Sequence, residues 1–170
     1  NSAALAEVRW GAGRGYNNVF YVSVGTGIGT GIIFDGQIYH GRTGAAGEGG
    51  HVSIDYRGPI CPCGKPGCIE VLACGPAIAK RARGKLLEAG TSRPSMLLQM
   101  ANGNVEAVTT QMVGQASVAG DPIAHETLQE TADLLTLWLG NMVDVLDPEA
   151  IIFGGGATAV LLPFFPTMRA

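Results

Sequence analysis

The sequence predicts an α/β fold in which a mixed sheet carries helices. Three observations point there. Val19–Val24 and Ile32–Phe34 are runs rich in β-branched, aromatic and apolar residues, the mark of buried strands. The second half of the chain is apolar at helical spacing. A short apolar run, Ile151-Ile152-Phe153, returns late, so that strands come early, helices lie between and a strand closes the order.

The elements follow in chain order. Residues 1–10 read as a helix ended by Gly11-Ala12-Gly13. The Val19–Val24 strand runs into the glycine series Gly25-Thr26-Gly27-Ile28-Gly29-Thr30-Gly31, and Ile32–Phe34 is the next strand. Asp35-Gly36 is a hairpin turn signal, with residues 37–40 returning. Residues 41–50 read as a loop, Val52–Asp55 as a short strand, and residues 57–68 as irregular because Pro and Gly crowd them. Ile78, Ala82 and Leu86 recur at four-residue spacing after Gly75-Pro76, and Gly90 stops that helix. Ser95–Ala101 and Val105–Ala119 are further helices. Asp121-Pro122 is an N-cap followed by proline at the first helical position, and Leu128, Leu135, Leu139, Met142 and Leu146 trace one face to Asp147-Pro148.

Composition narrows the classes. A chain of 170 residues suits one globular unit with a sizeable core. With 46% apolar and 15% charged residues it is not a disordered chain, and no run approaches the roughly 18–20 apolar residues of a membrane span. A net charge of −3 with scattered Lys and Arg argues against a nucleic-acid surface. Nothing indicates secretion, so the thiols are expected in a reducing, cytoplasmic setting. The start, Asn1-Ser2-Ala3-Ala4-Leu5-Ala6-Glu7, reads as helix from its first residues, and Met168-Arg169-Ala170 brings no closing element; both suggest a piece of a longer protein.

Cys61-Pro-Cys63-Gly-Lys-Pro-Gly-Cys68, with His51 ten residues upstream of Cys61, offers three thiolates and an imidazole. That is a tetrahedral zinc set, and Gly64, Pro66 and Gly67 allow the sharp turns that convergence needs. The competing reading is a disulfide or unrelated buried thiols. Cys74 reads as a small buried residue beside a helix start. The run after Val24 is followed by a strand, so it fails the dinucleotide fingerprint, and it lacks the Gly-Lys-Ser/Thr end of a P-loop. Backbone N–H groups at Gly25 and Gly27, with the Thr26 hydroxyl, still suit a phosphate; a tight hairpin without a ligand is the alternative. Gly154-Gly155-Gly156 either admits a base or ribose against backbone or is an ordinary turn. Glu48 and Glu70 flank the cysteine–histidine set, either as sugar-hydroxyl acceptors or as solvated acids. His40 and His125 receive no role.

Together these segments resemble the ROK family of sugar kinases and sugar-responsive repressors. The carrying motifs are Val24-Gly25-Thr26-Gly27-Ile28-Gly29, Gly47-Glu48-Gly49-Gly50-His51, the Cys61–Cys68 set running into Ile69-Glu70, and Pro148–Gly156. The resemblance implies an actin-like (ribonuclease H-like) two-lobe ATPase fold, with residues 1–170 as most of its C-terminal lobe and the N-terminal lobe absent. It implies structural zinc on His51, Cys61, Cys63 and Cys68, and sugar contacts from Glu48, His51 and Glu70, with Asn1 matching the Asn of the family's Asp-x-Asn. Gly25-Thr26-Gly27 would face the phosphates of Mg²⁺-ATP, and Gly154-Gly155-Gly156 the adenosine. The catalytic Asp would fall two residues before Asn1. The expected activity is transfer of the ATP γ-phosphoryl group to a hexose, glucose at its 6-hydroxyl first, by a homodimer; a sugar-sensing repressor with an upstream helix-turn-helix is the other reading.

Overall fold

A computed structural model describes residues 1–90 and 92–168. The closing residues Arg169 and Ala170, on which part of the expectation about the chain's end rests, lie outside them. Among the described residues, four strands form one mixed sheet in the order β3-β2-β1-β4. Strand β1 (Val19–Val24) pairs antiparallel with β2 (Ile28–Phe34) and parallel with β4 (Ala150–Gly154); β3 is the two-residue return Gln37–Ile38.

Alternation along β1 sends its side chains to two cores. Phe20, Val22 and Val24 enter the main core, against helices α2 (Ile69–Ala73), α3 (Gly75–Ala89), α5 (Thr110–Val118) and α6 (Pro122–Leu146). Val19 and Tyr21 point the other way, joining Ile33, Ile152 and Ala4 beneath α1 (Ser2–Trp10). Helix α6 is the spine of the main core. The Asp121 carboxylate accepts the backbone N–H groups of Ile123 and Ala124 at 2.9 Å, capping its first turn as expected of an Asp-Pro start. Leu128, Leu135 and Leu139 of the expected face are buried, and Met142 and Leu146 pack against the same core.

Several boundaries differ from the sequence reading, each for a local reason. The glycine run is mostly strand: β2 begins at Ile28, so Gly29 and Gly31 lie within the ladder and only Gly25-Thr26-Gly27 turns. Gly31 serves that ladder by letting Ala4 of α1 close on its Cα. The segment 52–55 makes one bridge, Ser53 to Cys68, instead of a strand. The helix expected over Val105–Ala119 is broken, because the Thr109 hydroxyl caps α5 by accepting the Met112 N–H. Helix α2, just after the last cysteine of the cluster, lay hidden in a five-residue span too short for periodicity to show. The helix expected over Ser95–Ala101 is α4 (Met96–Met100), and a short α7 (Thr158–Leu161) follows β4.

Candidate functional site

Three structures converge at the end of the sheet where β1 finishes and β2 begins: a cysteine knot, a loop carrying Glu48, and the turn Gly25-Thr26-Gly27.

The knot is a small hairpin. Cys61 N–H donates to the Lys65 carbonyl and Gly67 N–H to the Pro59 carbonyl, both at 2.8 Å. Ile54 N–H then reaches the Gly67 carbonyl, and Ile69 N–H the Val52 carbonyl, tying the hairpin to the strand-like stretch after His51. Gly67 has φ +59°, and a side chain there would collide with the Asp55 carbonyl. The result brings one ligand atom from each of His51, Cys61, Cys63 and Cys68 to within 4.8 Å of the others. Cys63 and Cys68 Sγ stand 3.6 Å apart, and Cys61 Sγ lies 3.5 Å from His51 Nδ1. A tetrahedral zinc ion with ordinary Zn–S and Zn–N bonds has edges of about 3.8 Å between sulfurs and about 3.6 Å between sulfur and nitrogen. The donor chemistry and the spacing therefore fit such an ion, and the set can hold a metal. All four cysteines are free thiols. Burial, then the neighbouring thiols of Cys63 and Cys61, push Cys68 up to about 12, whereas the Lys65 backbone N–H lowers Cys63. Cys74 is buried between α2 and α3, outside the cluster as expected, and burial raises its thiol.

The Glu48 loop is clamped from two elements. The Thr30 hydroxyl of β2 donates to the Gly47 carbonyl and accepts the Gly49 N–H at 2.9 Å, so it brackets Glu48. Trp138, fully buried on α6, donates its indole N–H to the Gly49 carbonyl at 3.1 Å. Glu48 itself is exposed, and Asn1 reaches the same loop at Gly47. His51 closes the loop's 3₁₀ turn, with its Nδ1 3.9 Å from Glu70 Oε1. Glu70 Oε2 accepts the Ile28 N–H at 2.9 Å. Four residues expected to face a sugar thus surround one end of the sheet, on a rigid frame of Thr30, Trp138 and the knot.

Beyond the glycine turn lies a cavity of about 480 Å³ lined by Gly25, Thr26, Gly75, Pro76, Thr110, Gln111, Gly156, Ala157, Ala159 and Val160. That volume lies within the roughly 300–1,000 Å³ of small-ligand pockets, and the cavity sits at the carboxyl ends of parallel neighbours β1 and β4, where α/β sheets place ligands. Gly25, Thr26 and Gly156 meet there. Gly154 and Gly155 do not line it: Gly154 abuts the Tyr21 hydroxyl, and Gly155 rests on the Val24 backbone. Gly27 faces Glu70 instead. The sequence reading missed Gly75-Pro76 and Thr110-Gln111. Each opens a helix, which Pro76 signals locally, but no local feature shows that both helix starts reach one cavity. A larger apolar cavity, about 1040 Å³, runs along the open edge of β4 and touches none of these groups.

A family profile described as the ROK family matches residues 1–169. This chain belongs to the ROK family. Among curated relatives, the chain is 33% identical to a glucokinase of Streptomyces coelicolor over 92% of its own length and 49% of that protein's. It is 42% identical to the xylose repressor of Bacillus subtilis over 89% of its length and 35% of that protein's. The chain thus spans about half the length, or less, of the curated relatives it matches. Among solved structures, a ROK glucokinase from Streptomyces griseus in complex with glucose and AMPPNP superposes with a TM-score of 0.91 at 33% identity, covering 99% of this chain and 55% of that one. A ROK transcriptional regulator, a homologue of the E. coli MLC protein, superposes at 0.79 with 32% identity, covering 97% and 40%. The fold is the actin-like ATPase fold of ROK kinases.

Proposed function

We propose that this chain is the C-terminal lobe of a ROK hexose kinase, which transfers the γ-phosphoryl group of Mg²⁺-ATP to a hexose hydroxyl, the 6-hydroxyl of glucose first. The observation that carries the reading is the position of Gly25-Thr26-Gly27. This one turn has a nucleotide-sized cavity on one side and the Glu70–His51 pair on the other. A donor phosphate at the turn and a sugar beside the carboxylates would then be neighbours, which is what in-line transfer needs.

In this account Glu48, Glu70 and His51 accept or donate hydrogen bonds to sugar hydroxyls, with Asn1 alongside. Backbone N–H groups of Gly25–Gly27 and the Thr26 hydroxyl receive phosphate charge, and the adenosine lies toward Gly156, with Gly154 and Gly155 shaping the turn beneath it. The sugar oxygen attacks the γ-phosphorus as the bond to the ADP oxygen breaks, and the hydroxyl proton passes to an Asp placed two residues before Asn1, outside this chain. The metal of the cysteine knot is zinc. His51, Cys61, Cys63 and Cys68 would hold it as its four ligands, and it would supply rigidity to the sugar loop. The kinase is a cytoplasmic homodimer in this reading.

The 42% identity to a xylose repressor keeps a second reading in view, a sugar-sensing repressor whose DNA-binding segment lies upstream. A coupled ADP-release assay of the longer protein across a hexose panel separates the two. The kinase reading expects hexose-dependent turnover by the longer protein and none by the isolated 170 residues. Hexose binding without ADP release, with sugar-dependent DNA binding, would establish the repressor instead.

A further inference from the structure

We propose that Glu70 is a positioning residue that couples the sugar site to the nucleotide turn, so that each site reports the other's state through one carboxylate. The inference rests on the kinase reading and deepens it.

The two oxygens of Glu70 face in different directions. Oε2 accepts the Ile28 N–H, immediately after the glycine turn, at 2.9 Å. Oε1 lies 3.9 Å from His51 Nδ1, on the metal and sugar side. The carboxylate is part-buried, where a charged acceptor makes a stronger hydrogen bond than a neutral one. Gly27 adds a separate observation. It is not among the glycines with positive φ, so its backbone does not require glycine. A Cβ there would stand 2.5 Å from Glu70 Oε2 and 3.2 Å from its Cδ. Any side chain at residue 27 must displace the Glu70 carboxylate from this position.

The tether has a second strand. Helix α2 starts directly after the metal ligand Cys68, carries Glu70 in its first turn and hands over to Gly75. Gly75 N–H donates to the Gly25 carbonyl at 2.8 Å. The turn Gly25–Ile28 is therefore held at both ends by a seven-residue stretch, 69–75, rooted in the cysteine knot. A sugar hydroxyl that engages Oε1 acts on the same group that fixes Ile28, and coupling of this kind is reciprocal.

Calorimetry on the longer protein tests this with crossed ligands: AMPPNP titrated without sugar, and glucose titrated without nucleotide. Glu70→Ala is expected to weaken AMPPNP binding about 5-fold or more, the lower end of ordinary coupling, although Glu70 does not line the cavity beyond the glycine turn. Glu70→Gln keeps an oxygen for the Ile28 N–H and is expected to hold AMPPNP affinity within about twofold of wild type while losing glucose affinity. Gly27→Ala, whose methyl displaces the carboxylate, is expected to weaken glucose binding about 5-fold or more although Gly27 lies in the nucleotide turn. Zinc content and melting temperature are read for each variant; should Glu70→Ala fail to fold, Gly27→Ala decides. Wild-type AMPPNP binding with both crossed effects absent overturns the coupling and leaves the kinase reading intact. Failure of the wild type to bind AMPPNP at all overturns both.

Discussion

Thr30 shows how much one hydroxyl can settle. It brackets Glu48 by bonding to both neighbouring peptides, and it is buried. Thr30→Val keeps the shape and strands two loop groups, which costs about 1–3 kcal/mol. The expected outcome is a lower melting temperature and a reduced sugar-dependent thermal shift at unchanged zinc content, with Thr30→Ser restoring both. Asp121 makes a pH-dependent case. Burial raises its carboxyl, but hydrogen bonds from Ser95 Oγ and the backbone N–H groups of Ala124, Leu97 and Ile123 outweigh this and hold it below the ordinary carboxylate value. A depressed folded-state value stabilises the fold above the unfolded value of about 3.9 and loses that contribution as pH falls through the folded one. Asp121→Asn keeps the acceptor and removes the charge. Its stability deficit in urea melts is expected to be full near pH 7 and to shrink below about pH 4; a deficit that stays constant with pH would contradict the account. The two residues also differ in legibility. Asp121 announces itself because a cap acts within its own turn. Thr30 and Trp138 do not, since they reach Gly47 and Gly49 across 17 and 89 positions that only the fold brings together.

At the scale of elements, the knot is the part most dependent on something beyond packing. Residues 52–68 hold only bridges and turns, and their few buried side chains include Cys61 and Cys68. Binding of a metal by these residues would be folding free energy for this segment. Chelation is expected to lower the melting temperature and to speed hydrogen exchange first over residues 52–74, leaving β1 and α6 protected; elemental analysis beforehand should give one zinc per chain. Uniform loss of protection would instead place the metal's effect on the whole core. The grouping of His51 with Cys61, Cys63 and Cys68 was readable from the sequence because thiolates, an imidazole and flexible glycines have few other reasons to cluster. The helices α3 and α6 were readable from their apolar spacing. The break at Thr109 was not: a capping hydroxyl competed with a periodicity that continues through it. Nor was α2, whose single turn follows Cys68 and ends just before Gly75, whose N–H binds the Gly25 carbonyl.

At the scale of the whole molecule, one sheet end gathers a loop beside a His/Cys cluster that can hold a metal, the Glu70 carboxylate and a ligand-sized cavity. The order of strands and helices in the sequence was enough to predict the mixed sheet, and the cysteine–histidine motif was enough to predict that His51, Cys61, Cys63 and Cys68 come together. What they could not convey was the sharing of one turn between two sites, with Gly25 facing the cavity and Gly27 facing Glu70, because that division depends on side-chain direction across a three-residue turn. In the kinase proposal this shared turn serves phosphoryl transfer to a sugar held by Glu48, His51 and Glu70. Its most direct test is the initial rate of glucose-dependent ADP release by the longer protein, wild type against Glu48→Gln. The account predicts turnover in the wild type and a kcat/KM lower by about 100-fold in the variant, the loss of roughly 2.7 kcal/mol of transition-state binding. Equal rates in the two proteins, or no glucose-dependent release in either, would contradict it.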